Sequence, residues 1–245
     1  MVGVKAKYRI AVFALFLWAG LPIAGMAACR QALALGLDVS GSVDAWEYRL
    51  QLDGLANALM DPKVKEALLA MPTTPVELAV FEWSGRSAHR LLLDWTAIES
   101  EARLDAVVAR LHNTERVAAD PSTALGSAML FGGVLLTQRR DCWSRTLDLS
   151  GDGTSNTGPR PREVKKDNQF AGITINALVI GADSPDIGDL LQSEIGELTS
   201  YFRSEVILGP DAFVEAALGF EDFEASMVRK LLRELEGMIL SHLQD

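Results

Sequence analysis

The hydrophobic positions along this chain follow two periods, and each period predicts its own elements. Residues 32–37 (Ala-Leu-Ala-Leu-Gly-Leu) form a nearly unbroken apolar run, which predicts a strand covered on both faces. Residues 43–60 then carry apolar side chains at Trp46, Leu50, Leu52, Leu55, Ala58 and Leu59, a helical spacing. A second short helix is predicted over 64–69, after Pro62. Strands are predicted over 76–83 and 89–93, joined by a tight turn at Ser84-Gly85-Arg86. Helices are predicted over 98–111 and over 123–138, the latter rich in small residues. A strand over 145–150 ends at Gly151-Asp152-Gly153, and a helix over 161–170 starts with Pro at an early position. A strongly apolar strand over 173–180, a helix over 187–199 and a last strand over 204–208 follow. Residues 220–243 predict a long amphipathic helix, with Phe220, Phe223, Met227, Leu231, Leu235 and Met238 on one face.

Strands that alternate with helices in this way predict an α/β fold. The expected form is a doubly wound, mostly parallel six-stranded sheet with helices on both faces. No Pro/Gly/Ser-rich linker splits residues 29–245, so they are expected to form a single domain.

The first segment departs from this pattern. Lys5, Lys7 and Arg9 precede an uncharged stretch, residues 10–28, which closes on small residues. That order predicts a secretory signal peptide over 1–28, with a retained membrane anchor as the alternative. Cleavage predicts a mature chain with no transmembrane span. It would remove three basic residues and no acidic one, moving the formal net charge from −10 to −13. So acidic a protein repels phosphate backbones, which excludes nucleic acid as an expected partner. Export to the periplasm or beyond puts Cys29 and Cys142 in an oxidising compartment, where an even count suggests a disulfide. A lipidated Cys29 is the competing reading, although Met26-Ala27-Ala28 is a poor lipobox.

In an open parallel sheet, ligands bind at the carboxyl ends of the strands. Three polar turns fall there: Asp38-Val39-Ser40-Gly41-Ser42, Asp120-Pro121-Ser122-Thr123 and Ser150-Gly151-Asp152-Gly153. Alone, each reads as a helix cap or an ordinary strand ending. Together they resemble the metal-ion-dependent adhesion site of von Willebrand factor A domains. Asp38-x-Ser40-x-Ser42 matches that family's first motif, while Thr123 and Asp152-Gly153 match the later ligands. The mature chain is most similar to a bacterial exported family, DUF1194, through residues 32–44, Glu82-Trp83-Ser84-Gly85, residues 148–153 and residues 172–176.

The resemblance implies a divalent-cation site built from Asp38, Ser40, Ser42, Thr123 and Asp152, with Ser122 as the alternative to Thr123. An all-oxygen set suits Mg²⁺ or Mn²⁺. Neutral hydroxyls leave the ion enough charge to accept a carboxylate from a protein partner, which is the adhesion mechanism the family implies. The helix after the first turn points its positive end at the site and also favours an incoming carboxylate. In this family's sheet the first and fourth strands are neighbours, so a Cys29–Cys142 bridge would clamp them at the end opposite the metal.

Other residues carry plainer readings. Asp148 lies about 13 Å back along its strand from Asp152, too far to share a metal, and reads as a buried hydrogen-bonded carboxylate. Trp46 and Trp83 lie near the rim and are either core residues or partner contacts. His89, His112 and His242 have no metal-ligand spacing. Gly153-Thr154-Ser155 lacks a triad partner, and Ser40 stands where a haloacid dehalogenase would need a second Asp. The expectation is therefore a non-enzymatic, metal-dependent binding module. A Mg²⁺-dependent hydrolase and a structural domain with a vestigial site are the competing readings.

Overall fold

The computed structural model describes residues 29–181 and 189–242. The predicted signal peptide over 1–28 lies outside them. Among the described residues no helix is long and apolar enough to cross a membrane.

The strands are β1 (Gln31–Asp38), β2 (Val76–Trp83), β3 (His89–Ala97), β4 (Ser144–Gly151), β5 (Thr174–Ile180) and β6 (Val214–Ala217). They form one sheet in the order β3-β2-β1-β4-β5-β6. Every neighbouring pair is parallel except β2 with β3, which pair as an antiparallel edge hairpin. The expected mostly parallel six-stranded sheet is therefore present. The strand order reverses at β1, and the crevice outside the carboxyl ends of β1 and β4 is the position at which such sheets hold ligands.

The helices are α1 (Ala45–Met60), α2 (Pro62–Leu69), α3 (Glu101–His112), α4 (Leu125–Thr137), α5 (Pro161–Val164), α6 (Asp189–Tyr201) and α7 (Phe223–His242). They cover both faces. Leu33, Leu35 and Leu37 of β1 pack in one core with side chains of α1, α2, α3 and α7. Ala32 and Ala34 belong to a second core with α4, built around Phe81, Trp83, Leu147 and Leu149. A strand alternates its side chains between faces, so one short apolar run serves both cores. At Gly36 an added Cβ would lie 2.6 Å from the Phe81 ring and 2.7 Å from Leu149, so the aromatic ring occupies the space a larger residue would need.

Some boundaries differ from expectation. Residues 204–208 are not a strand: Phe202–Val206 continue α6 as a π-helix and bury Phe202 and Val206 one helical turn apart. Leu208 makes only an isolated antiparallel bridge to Ile175. The sixth strand is instead Val214–Ala217, four residues paired with β5. The helix expected over 161–170 breaks into α5 and a 3-10 turn at Asn168–Phe170, where the Asp167 side chain accepts from Gln169 N at 2.9 Å. Helix α1 starts at Ala45, because Asp44 and Glu47 form a reciprocal capping box.

Cys29 and Cys142 are joined in a disulfide. It lies at the amino ends of β1 and β4, where Gln31 pairs with Ser144, at the opposite end of the sheet from Asp38. A sulfur engaged in this bond carries no lipid thioether, so the disulfide and a lipidated Cys29 exclude each other.

Candidate metal centre

Three loops meet at the carboxyl end of the sheet. The first leaves β1 at Asp38 and runs into α1. The second, residues 113–124, enters α4, and the third leaves β4 at Gly151. Backbone contacts lock them together. Gly41 N donates to Pro121 O at 3.0 Å, and a Cβ on Gly41 would sit 2.9 Å from that oxygen. Thr123 N donates to Asn156 Oδ1 at 3.0 Å, and Asn156 N donates back to Thr123 O at 2.9 Å. Ala124 N donates to Ser84 O at 2.7 Å, which ties the second loop to the end of β2.

These contacts bring all five candidate residues together. Ser40 Oγ is 3.3 Å from Ser42 Oγ and 3.3 Å from Thr123 Oγ1. Ser42 Oγ donates to Asp152 Oδ1 at 2.8 Å. Ser40 N donates to Asp38 Oδ1 at 2.8 Å, while Gln51 Nε2 reaches the Asp38 carbonyl at 3.0 Å. The geometry separates Thr123 from Ser122: the Ser122 hydroxyl donates to Asp120 at 2.6 Å within its own turn.

The electrostatics of the cluster are unfavourable without a cation. Asp38 is fully buried, and its Oδ2 has no hydrogen-bond partner. Burial first, and then the nearby Asp152 charge, push its carboxyl up to about 8, against a smaller lowering by Ser40. Burial also raises Asp152. An orphaned carboxylate oxygen beside a second carboxylate and three hydroxyls fits a hard dication, which prefers oxygen donors. Among the described residues no group of three or more His, Cys, Asp and Glu could hold a metal. Any site here therefore depends on the hydroxyls.

The structure separates the two readings left open for the rim tryptophans. Trp83 pairs in register with Asp38 but is wholly buried beneath α4, so it offers nothing to a partner. Its ring falls on the alternate face of β2 that α4 covers. Trp46 is 65% exposed on the first turn of α1. Asp148 is buried as expected, and its partner is an ion pair from α7. Asn156 escaped the sequence reading. Its task is a backbone contact 33 residues away, and no local pattern announces it.

A family model described as "Protein of unknown function (DUF1194)" matches residues 28–239. The chain belongs to the DUF1194 family. No curated protein sequence matches it. Among solved structures, this DUF1194 chain is similar to proximal thread matrix protein 1 from the mussel byssus, with a zinc-occupied MIDAS motif. The TM-score is 0.58 at 14% identity, over 85% of this chain and 46% of that one. It is also similar to the pilus adhesin SpaC from Lactobacillus rhamnosus GG, with a TM-score of 0.57 and 11% identity over 87% and 31% of the two chains. A von Willebrand factor type A protein from Catenulispora acidiphila matches with a TM-score of 0.53 and 14% identity over 84% and 42%. The DUF1194 chain thus spans less than half the length of these chains. The shared feature is the fold, which is von Willebrand factor A-like.

Proposed function

We propose that this DUF1194 protein is an exported, non-enzymatic binding module. Asp38, Ser40, Ser42, Thr123 and Asp152 would hold Mg²⁺ or Mn²⁺, and the module would capture an acidic side chain of a protein partner. The observation that carries the reading is the buried Asp38 Oδ2, which lacks a partner while a second carboxylate and three hydroxyls converge on the same rim. The zinc-occupied MIDAS motif of the byssal protein supports a divalent cation on this fold. Export is supported by the Cys29–Cys142 disulfide, a bond that persists in oxidising compartments.

The residues divide the work. Ser40 N fixes one oxygen of Asp38 and leaves the other free for the ion. Ser42 orients Asp152 by its hydrogen bond. Asn156 holds the backbone of Thr123, so the hydroxyl is positioned before any ion arrives. When bound, the dication supplies the positive charge on which a partner's carboxylate sits. Exposed Trp46 stands on the same rim as an apolar contact for that partner.

Thermal unfolding of the mature protein tests the reading. Millimolar Mg²⁺ or Mn²⁺ is expected to raise the Tm through binding linkage. Asp38→Ala is expected to abolish the rise. No shift with either ion refutes the metal site and leaves the vestigial-domain reading. Metal-dependent turnover on a phosphoester panel, lost in Asp38→Ala, refutes the non-enzymatic reading. Metal-dependent binding to immobilised acidic peptides, lost on chelation, is the expected sign of the partner chemistry.

A further inference from the structure

A second group of charges lies inside the molecule, between the sheet and α7. Asp148 stands in β4 between Leu35 of β1 and Asn176 of β5. From α7, Lys230 Nζ lies 2.5 Å from Asp148 Oδ2 and donates to Glu234 Oε1 at 2.7 Å. Asn176 Nδ2 donates to the same Glu234 oxygen at 2.7 Å. The side chains of Lys230, Asp148 and Glu234 are 0%, 2% and 1% exposed. Asp148 Oδ1 and Glu234 Oε2 have no hydrogen-bond partner.

The stoichiometry is unbalanced: two buried carboxylates face one ammonium. With all three groups ionised, the cluster buries a net negative charge, and uncompensated charge is costly in a protein interior. One additional proton cancels it and gives an orphaned carboxylate oxygen a hydrogen to donate. We propose that Asp148, Lys230 and Glu234 form a proton-dependent latch between α7 and the sheet. It is closed when the cluster holds one proton beyond the lysine's own, and loosened when that proton leaves.

The surroundings support this. Burial, with the Glu234 charge adding to it, outweighs Lys230 and holds the Asp148 carboxyl at about 7. Burial works to lower Lys230, but Asp148 and Glu234 outweigh it and keep the ammonium charged. The exchangeable proton therefore belongs to the carboxylates. Leu35 and Asn176 flank Asp148 on the sheet, and the Phe213 ring lies 5.2 Å from Lys230 Nζ. Arg233 packs over the same ring at 3.9 Å. Among the described residues, Lys230 and Glu234 are the charged groups that shift Asp148, and Asp148 and Glu234 are those that shift Lys230. A cleft of about 750 Å³ bordered by Asn176, Phe213, Arg233 and Glu234 brings solvent alongside the cluster, so a proton has a route that needs no unfolding.

The sign follows from linkage. The folded value of Asp148 lies above its unfolded value, so the contribution is complete in acid and is lost as pH rises from about 4 through about 7. Hydrogen exchange on the full chain, corrected for the intrinsic pH effect, reads the latch directly. Protection of the α7 amides over 228–235 is expected to fall about tenfold or more between about pH 5.5 and 8.5, and more than in β1. Asp148→Asn and Glu234→Gln each balance the cluster, so either should remove the excess fall of α7 over β1. A wild-type α7 that falls no more than β1 overturns the proposal. So does an undiminished excess in both variants. If neither variant folds, the wild-type comparison of α7 with β1 decides alone: a fall confined to α7 supports the latch, and a uniform fall overturns it.

Discussion

Ser42 donates its hydroxyl to Asp152 Oδ1 at 2.8 Å, although 110 residues separate the two in sequence. This bond joins the turn after β1 to the turn after β4, and Asp38 lies between them on the rim. Ser42 is exposed, so its hydrogen bond contributes little to stability, about 0.5–1.5 kcal/mol. Ser42→Ala is therefore expected to leave the fold intact and to sharply reduce the Tm rise with Mg²⁺. Paired melts with and without the ion check this. An undiminished rise would remove Ser42 from the site.

Asp38 predicts an inverted pH profile. Its folded carboxyl is held at about 8, far above its value in an unfolded chain, because burial disfavours the ionised form. The native state then binds more protons than the unfolded state, so metal-free stability falls as pH rises from about 4 to about 8. A bound dication requires the ionised form, so metal affinity rises over the same range. Asp38→Asn keeps the shape and removes the charge. It should match or exceed wild-type metal-free stability at pH 8 and lose the metal response. Chemical denaturation across pH, with and without Mg²⁺, reads both effects.

Gly126 predicts a steric failure. An added Cβ there would lie 2.0 Å from Pro159 O, a backbone atom that cannot rotate away. Gly126→Ala must push α4 from the third loop, at a cost of about 1–3 kcal/mol. Thr123 lies just ahead of α4, so the same shift should weaken Mg²⁺ binding. A variant that melts like wild type would show that the α4 start is more compliant than its packing implies.

The convergence of the candidate residues was legible because they sit in short local motifs. Asp38, Ser40 and Ser42 share one turn at the end of an unmistakable apolar strand. The sheet order then brings Asp152 to the same rim. What escaped reading depends on tertiary contact. Val206, Ile207 and Leu208 look like a strand, yet α6 runs on through Val206 because its buried residues recur at helical spacing. The true sixth strand, Val214–Ala217, is too short and alanine-rich to stand out. Trp83 and Trp46 carry the same side chain near the same rim, and only the helix packed over β2 decides that one is buried and the other exposed. The charge of Asp148 found its partner, Lys230, 82 residues on, in a helix whose stripe reads as apolar.

The Cys29–Cys142 bond predicts that stability and metal binding separate. The two cysteines are 113 residues apart in the chain, and the bond removes much of the loop-closure entropy of the unfolded state. In the chain-entropy model its loss costs about 4–5 kcal/mol. The bond clamps the amino ends of β1 and β4, however, while the five rim residues stand at their carboxyl ends. The Cys29→Ala/Cys142→Ala double variant should therefore melt well below wild type and still gain a Tm rise with Mg²⁺ comparable to that of the oxidised protein. Measuring both quantities in one titration separates the effects. A lost metal response in a variant that remains folded would mean that the clamp sets the register of β1 against β4 all the way to the rim.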